Sequence, residues 1–320
     1  MPQGEGSTAM TDPFDVLRTP LTPAQPDPGF AARLRARLER ALDLPEGVAV
    51  SDLTDLSRAA RETPPAEDDA ATPGAGAAPR QGDIGYASLW VPDVARAAAF
   101  YTAVLGVEYL PGHGGGQQAP GLTPPQALWP SDARPTLFCS YVVDDAAAAV
   151  AQVRAAGGQA GQLVRQPYGL AADCVDTDGV RFAVYQPAGP VGPPSGQGRA
   201  VEAGPGAAGR DGDLIYVTLE VPDPERTLAF YGAVLGWRSR PGRSPGGWQV
   251  EDTTPMIGIS GGHGQTAAVP VWRVADVPAA VARVRAAGGT STEPHREPYG
   301  LIAECADDQG TRFSLTQFPG

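Results

Sequence analysis

The sequence contains no lysine and no asparagine. The absence of lysine excludes a Schiff-base lysine and the lysine of a phosphate-binding loop. Only three cysteines occur, Cys139, Cys174 and Cys305, and they are widely spaced, without a CxxC pair or a cysteine–histidine cluster. This spacing argues against a zinc knuckle and a disulfide framework, and it predicts small buried residues in a reducing cytoplasm.

Long apolar runs and excess basic charge are also lacking. No run of ~18 apolar residues is present, so we expect no segment that spans a bilayer. The first residues show no basic region before an apolar stretch, so we expect no secretory signal. The formal net charge of -12 disfavours sequence-independent binding to nucleic acid or to an anionic membrane. We therefore expect a cytoplasmic protein with neither of these partners.

Two stretches rich in proline, glycine and alanine divide the chain, one near 63–81 and one at 188–212. Their composition predicts disordered linkers. Before the first linker, leucines recur every four residues within 30–42 and predict an amphipathic helix. That helix either docks on its own chain or serves as a binding arm. The predicted divisions are 1–82, an N-terminal extension with this helix and the first linker; 83–187, a first domain; 188–212, a linker; and 213–320, a second domain.

The two predicted domains repeat one pattern. The segment YASLWVPD at 86–93 returns as YVTLEVPD at 216–223, and the Phe-Tyr and Leu-Gly pairs that follow each copy return as well. Each copy predicts a strand, a turn and a helix whose first residue follows a capping aspartate. A second strand–helix unit follows in each domain, and then Pro-Tyr-Gly-Leu leads into a final hairpin. Each domain is therefore expected to be strand–helix–three strands, written twice.

This ordered set of V-P-D, F-Y-x-x-V-L-G, V-x-D, A-G-G, P-Y-G and D-x-x-G-x-R-F resembles the vicinal oxygen chelate superfamily. That superfamily includes glyoxalase I, extradiol dioxygenases, fosfomycin-resistance enzymes and bleomycin-resistance proteins. The resemblance implies an α+β fold of two tandem domains. In each domain, two βαβββ modules would form a half-open β-cup.

Metal enzymes of this superfamily hold their ion with three side chains, usually His or Gln, His, and Glu. The resemblance places these ligands on the opening strand, on the equivalent strand of the second module and on the last strand. The matching positions carry poor metal ligands: Tyr86, Phe138 and Ala183 in the first domain, and Tyr216, Val269 and Ser314 in the second. We therefore expect no metal and no cofactor in either cup.

The side chains expected to face the cups are aromatic or weakly polar, which suits a planar, partly apolar molecule. The predicted ligand-binding residues are Tyr86, Ser88, Trp90, Phe138, Ser140, Arg181 and Tyr185 in the first domain, and Tyr216, Thr218, Glu220, Arg312 and Ser314 in the second.

Several of these charged residues allow two interpretations. Glu220 is either a buried acid or base, and so a candidate catalytic residue, or a rim carboxylate in water. Arg181 and Arg312 either bind an anionic or carbonyl group or pair with the turn carboxylates Asp176 and Asp307. The roles of Asp173 and of its counterpart in the second domain, Glu304, are ambiguous in the same way. The three histidines are expected to be exposed loop residues.

The leading hypothesis is metal-independent binding or sequestration of a small, partly aromatic molecule, as in bleomycin-resistance-like proteins. A second is an isomerase, cyclase or lyase of small-molecule or natural-product metabolism that works without a metal. A third is a regulatory or scaffold protein that binds a partner through 30–62. Either a monomer of two pseudo-equivalent domains or a homodimer fits the duplication.

Overall fold

The computed structural model describes residues 79–192 and 209–319. The predicted helix at 30–42, the first linker and most of the second lie outside these residues. Within them, two α+β halves repeat one architecture, as the sequence predicts. No helix in the part of the chain that the structure describes is long and apolar enough to cross a membrane.

The first half contains nine strands and two α-helices, with a short 3-10 turn at His113–Gly115. In chain order these elements are β1 (Ile84–Val91), α1 (Val94–Leu105), β2 (Leu110–Pro111), β3 (Gln117–Ala119), β4 (Gln126–Pro130), β5 (Thr136–Val142), α2 (Ala146–Ala155), β6 (Gln159–Ala160), β7 (Val164–Gln166), β8 (Gly169–Val175) and β9 (Arg181–Pro187).

The second half repeats this order. Its elements are β10 (Leu214–Glu220), α3 (Pro224–Leu235), β11 (Ser239–Pro241), β12 (Gly247–Val250), β13 (Met256–Ser260), β14 (Ala267–Arg273), α4 (Val277–Ala286), β15 (Thr290–Ser291), β16 (His295–Glu297), β17 (Gly300–Ala306) and β18 (Arg312–Gln317).

Each half forms one nine-stranded sheet. The first sheet has the order β2-β3-β4-β1-β5-β9-β8-β6, with β7 also paired to β8, and the second sheet has the matching order. The opening strands of the two modules, β1 and β5, pair antiparallel at the centre, while β4 and β9 flank them in parallel. One detail differs from the predicted module. The first of the three strands in each second module is split into two short pieces, β6 with β7 and β15 with β16, and all pair with the next strand.

The helices begin and end where the sequence predicts. Asp93 accepts a hydrogen bond from the backbone N–H of Arg96 at the start of α1, and Asp223 caps α3 in the same way. Both helices end at a glycine in the left-handed conformation, Gly106 or Gly236. These signals fix where the chain turns back to the sheet, and so they fix the register of the helix face that packs on it.

Each half docks its first helix on the last hairpin of the other half. The Tyr101 hydroxyl on α1 donates to Asp307 Oδ2 at 2.9 Å, and the Tyr231 hydroxyl on α3 donates to Asp176 Oδ2 at 3.0 Å. Burial, together with the neighbouring carboxylate, raises the pKa of both tyrosines well above its usual value. This reciprocal pairing joins the two sheets through their helix-covered faces.

Candidate functional site

Alternation along the central strands separates a helix-covered face from an open face. On β1, Ala87 and Leu89 are fully or almost fully buried against the helices. Tyr86, Ser88 and Trp90 point to the other face, which is the concave side of the sheet. The same alternation places Phe138 and Ser140 of β5 and Arg181 and Tyr185 of β9 on that face. This set of side chains defines the first cup.

An aromatic pair forms one wall of the first cup. The rings of Trp90 and Phe138 are stacked, with centroids 4.8 Å apart and planes 9° from parallel. The Arg181 guanidinium carbon lies 5.8 Å from the Trp90 ring centroid, within the range of a cation–π contact. Ser88 is buried, and its Oγ accepts a hydrogen bond from Trp90 Nε1 at 3.1 Å. Ser88 thus holds the indole in place.

A cavity of about 300 Å³ lies beside this wall. Strand β6 and Gly161, the residue after it, also line this open pocket, and Asp173 and Arg181 are its charged residues. Its volume is at the lower end of the range for small-molecule sites. The lining residues are Trp90, Phe138, Gln159, Ala160, Gly161, Asp173, Cys174, Val175 and Arg181.

A group of tyrosines occupies another part of the first cup. The rings of Tyr168 and Tyr185 meet edge to face at 5.7 Å, and Tyr168 remains 55% exposed. Burial, with a smaller effect from Tyr168, raises the pKa of Tyr86 to about 12. Burial and then the negative charge of Asp173 raise the pKa of Tyr168. All three phenols therefore stay neutral near pH 7 and can donate hydrogen bonds.

The second cup is polar where the first is aromatic. Glu220, at the position that Trp90 occupies in the first half, forms a two-point ion pair with Arg312. Its Oε2 lies 3.7 Å from Nδ1 of His263, and the other ring nitrogen of His263 is 2.9 Å from Ser260 Oγ. The Glu220 side chain is only 15% exposed, so it is not a rim carboxylate in open water. Because Arg312 neutralises it, it is not an isolated buried base either.

The remaining predicted residues of the second cup lie beside this polar group. Tyr216 donates a hydrogen bond to Gln249 Oε1 at 3.3 Å. Burial, followed by the nearby Tyr299, raises its pKa. Thr218 lies between Tyr216 and Glu220 on the same face of β10, and Ser314 is buried on β18 opposite Glu304. The structure therefore brings the predicted residues together as two separate groups, one in each cup.

Two interpretations from the sequence require correction. Arg181 does not pair with Asp176, and Arg312 does not pair with Asp307. Arg312 pairs with Glu220, and Arg181 lies over Trp90. Asp176 and Asp307 instead accept hydrogen bonds from their own turns and from Tyr231 and Tyr101, because the opposite half reaches these turns first.

The expectation of exposed loop histidines is also incomplete. His113 is exposed, as expected. His263 is partly buried and contacts both Ser260 and Glu220. His295 is exposed, as expected, but it lies in the short strand β16, and its Nε2 is 3.8 Å from Oε1 of Glu297 and from Oε1 of Glu304. The Ser-x-x-His spacing at 260–263 is the sequence signal that could have revealed the first of these contacts.

The residues at the family's metal positions do not fit a metal ion. The strand register corrects one of the expected positions in each cup. In the first cup Ser140, two residues after the expected Phe138, lies opposite Tyr86 and beside Ala183, so one row across the sheet offers a phenol, a hydroxyl and a methyl group. The matching row of the second cup has Tyr216, Val271 in place of the expected Val269, and Ser314. Neither row provides an imidazole, a carboxylate or a thiolate. Within 79–192 and 209–319, no three His, Cys, Asp or Glu residues group closely enough to hold an ion.

Comparisons with known proteins agree with this architecture. The model of the glyoxalase/bleomycin resistance protein/dioxygenase superfamily matches residues 83–184, and that of the glyoxalase-like domain matches residues 216–316. The anthracycline biosynthesis protein DauV of Streptomyces sp. (strain C5) is 29% identical over 263 residues, which cover 72% of this chain and 90% of that protein.

Solved structures share the fold at low sequence identity. The Mn(II)-bound glyoxalase from Novosphingobium aromaticivorans matches 74% of this chain and 82% of its own, with a TM-score of 0.57 and 18% identity. The 2,3-dioxygenase LapB from Pseudomonas sp. KL28 matches 76% and 96%, with a TM-score of 0.56 and 16% identity. The chain therefore belongs to the glyoxalase/bleomycin resistance protein/dioxygenase superfamily, of which it carries two domains in tandem.

Proposed function

We propose that the first cup binds a small, planar, partly aromatic organic molecule and does so without a metal ion. The observation that carries this proposal is the cavity of about 300 Å³ whose wall is the stacked pair Trp90 and Phe138. A flat apolar ligand gains stacking energy on such a wall beyond the energy of burying its surface, about 0.5–1.5 kcal/mol for an aromatic pair.

The polar groups around the cavity favour a ligand that also carries oxygen atoms. Arg181 offers a cation and several N–H donors near the Trp90 ring, and Asp173 offers an acceptor in the same cavity. The neutral phenol of Tyr168 adds a donor close to Asp173. Carbonyl and phenolic hydroxyl groups on an aromatic framework would complement this set.

The metal-independent part of the proposal depends on the donor chemistry of the cup. The row of Tyr86, Ser140 and Ala183 stands where the superfamily's ligands would be, and it suits neither Zn nor Fe nor Mn. Stacking and hydrogen bonding therefore remain as the means of holding a ligand. Binding of this kind suits sequestration of a compound as well as its passage between enzymes.

The relative DauV indicates which compounds to test first. Its name assigns it to anthracycline biosynthesis, and anthracyclines are polycyclic aromatic molecules rich in carbonyl and hydroxyl groups. We propose this class as the starting point for the ligand. The proposal also includes a cytoplasmic location and either a monomer or a homodimer.

The alternative of an isomerase, cyclase or lyase that uses Glu220 as a free acid or base is less favoured. Arg312 already forms an ion pair with both oxygens of that carboxylate. Measuring product formation by the Glu220→Gln variant would test the alternative directly, because a true catalytic base would lose turnover on this change.

Calorimetric titration tests the proposal. Protein dialysed against EDTA and shown by elemental analysis to be metal-free is titrated with hydroxylated anthraquinones, anthracycline aglycones and a saturated polycyclic alcohol. We expect one site per chain, a dissociation constant on the order of micromolar for the planar aromatics, and no binding of the saturated compound. Absence of binding across the aromatic set, or binding that returns only after metal is added, would refute it.

A further inference from the structure

In the second cup a histidine lies between a serine and a carboxylate, the spatial arrangement found in serine hydrolases. Ser260 Oγ and His263 Nε2 are 2.9 Å apart, and His263 Nδ1 is 3.7 Å from Glu220 Oε2. The two ring nitrogens therefore face different partners, the hydroxyl on one side and the carboxylate on the other. A nucleophile, a base and a group that orients the base are the parts required to activate a serine.

Backbone hydrogen bonds hold these side chains in place. The N–H of Val221 donates to the carbonyl of Ser260, and the N–H of His263 donates back to the carbonyl of Val221, so the loop is tied to the end of β10. Glu220 and Ser260 are also direct partners in the β10–β13 register. The loop thus lies on a rigid part of the sheet, which favours a fixed geometry between nucleophile and base.

Ser260 lies on the open face of the second cup. A Cβ built on Gly258, two residues earlier on β13, would meet the Tyr216 hydroxyl at 1.8 Å, so this face of β13 is the one that Tyr216 covers. Alternation along the strand places Ser260 on the same face. The residue is partly exposed, as is His263, so a small molecule in the cup can reach both.

The duplication supplies an internal comparison. In the first half, the pair at the register of Glu220 and Ser260 is Trp90 and Trp129. Both halves have the same sheet order, so the fold itself does not require a carboxylate and a serine at these positions. Their presence beside a histidine in one half only is explained better by a chemical role than by packing.

The electrostatics favour the tautomer that catalysis needs. A carboxylate oxygen of Glu220 lies 3.7 Å from Nδ1 and favours the form of His263 that carries its proton there, and Arg312, which contacts the same oxygen, reduces this preference. Nε2 is then free to accept the proton of Ser260. Arg312 binds both oxygens of the carboxylate and so limits its rotation. The separation of 3.7 Å is longer than a hydrogen bond, and contacts of this kind often shorten when substrate binds.

We propose that Ser260, His263 and Glu220 form a nucleophilic site that hydrolyses small carboxylic esters. Ser260 Oγ bonds to the ester carbonyl carbon while its proton passes to His263 Nε2. The carbon–oxygen bond to the alcohol then breaks, and the alcohol leaves with that proton. Water, activated by the same nitrogen, cleaves the acyl-serine and releases the carboxylic acid, which restores the serine. Glu220 is a positioning residue that acts through His263.

Covalent labelling of the full-length protein tests this site without a natural substrate. A fluorophosphonate probe forms a stable phosphonyl-serine, and peptide mass spectrometry locates the modified residue. We expect labelling at Ser260, loss of labelling in Ser260→Ala, and a rate of labelling lowered by about 10²-fold or more in His263→Gln. Glu220→Gln is expected to slow labelling by a smaller factor, because the imidazole remains but loses its orientation.

Matched variants and a second readout complete the test. Ser244→Ala and His113→Gln change an exposed serine and an exposed histidine that are not among the three proposed residues, and they should label like the parent protein. Hydrolysis of p-nitrophenyl acetate should follow the same order among the variants, while melting curves confirm that each is folded. Labelling elsewhere than Ser260, no labelling at all, or labelling at Ser260 that is unchanged in folded His263→Gln would overturn the proposal. The first cup plays no part in this result, so its ligand binding can fail or succeed independently.

Discussion

Replacing Trp90 with leucine separates stacking from simple apolar burial in the first cup. Leucine keeps an apolar side chain beside Phe138 but removes the flat surface and the ring beneath Arg181. A bound aromatic ligand would lose one ring-to-ring contact, worth about 0.5–1.5 kcal/mol, and part of its buried surface. Together these give about 1–3 kcal/mol, which corresponds to a dissociation constant raised roughly 5- to 150-fold.

The assay is titration of each variant with one planar aromatic ligand under metal-free conditions. Calorimetry is preferred over intrinsic fluorescence, because the substitution itself removes one of the five tryptophans of the chain. Trp248→Leu is the matched control. Trp248 is a half-buried tryptophan on β12 of the second sheet, next to the edge strand β11, so its replacement should leave the affinity within twofold of the parent.

The two readouts distinguish a binding effect from a folding effect. Trp90→Leu should lower stability somewhat, because the stacked pair with Phe138 is lost, and a melting curve measures this cost separately. Equal affinity in the parent and in folded Trp90→Leu would refute stacking on Trp90 as the basis of binding. Equal losses in Trp90→Leu and Trp248→Leu would show that the ligand responds to general loosening of the fold.

Three further outcomes follow from buried groups. Tyr101→Phe and Tyr231→Phe each remove a hydrogen bond to a buried carboxylate. Each should lower the free energy of unfolding by about 1.5–3 kcal/mol, which corresponds to a Tm lowered by about 3–12 °C. Tyr299→Phe, at an exposed ring, is the control and should change Tm little in the same scan. The three cysteine thiols, whose pKa values burial raises to about 11 or about 12, should not react with Ellman's reagent at pH 8 until denaturant is added. The free energy of unfolding should fall as pH rises from about 10 through 12, because the pKa of Tyr86 is about 12 in the folded protein and about 10 in the unfolded chain. Tyr86→Phe should make this fall shallower, as measured by urea titrations at each pH.

The fold could be predicted from sequence because its signals are local and occur twice. The capping aspartates, the glycines that end the helices and the alternation of side chains along β1 and β10 each depend on residues close in the chain. Repetition in the second half then confirms each signal independently. The division of β6 and β7 into separate pieces was missed, because strands of two or three residues carry too little pattern to identify.

Side-chain partners could be predicted much less well, because they depend on contacts between distant parts of the chain. The sequence places Asp307 and Arg312 on the two sides of one hairpin turn, so an ion pair between them is a reasonable expectation. In the structure Asp307 is satisfied by Tyr101 from the other half, and Arg312 reaches Glu220 on a neighbouring part of the sheet. Nothing in the local sequence indicates that the first helix of each half packs on the last hairpin of the other half.

The reciprocal packing of each first helix on the other half explains how the two cups could become chemically different while the fold stayed the same. The reciprocal contacts of Tyr101 and Tyr231 lie on the helix-covered faces, and both halves retain them. These two contacts involve none of the cup residues named above, so substitutions in the cups leave them in place. Trp90 could therefore correspond to Glu220, and Trp129 to Ser260, without loss of the shared core. An aromatic cup and a polar cup on one duplicated scaffold are the expected result, and they allow one chain to bind a flat ligand at one site and carry out ester chemistry at the other.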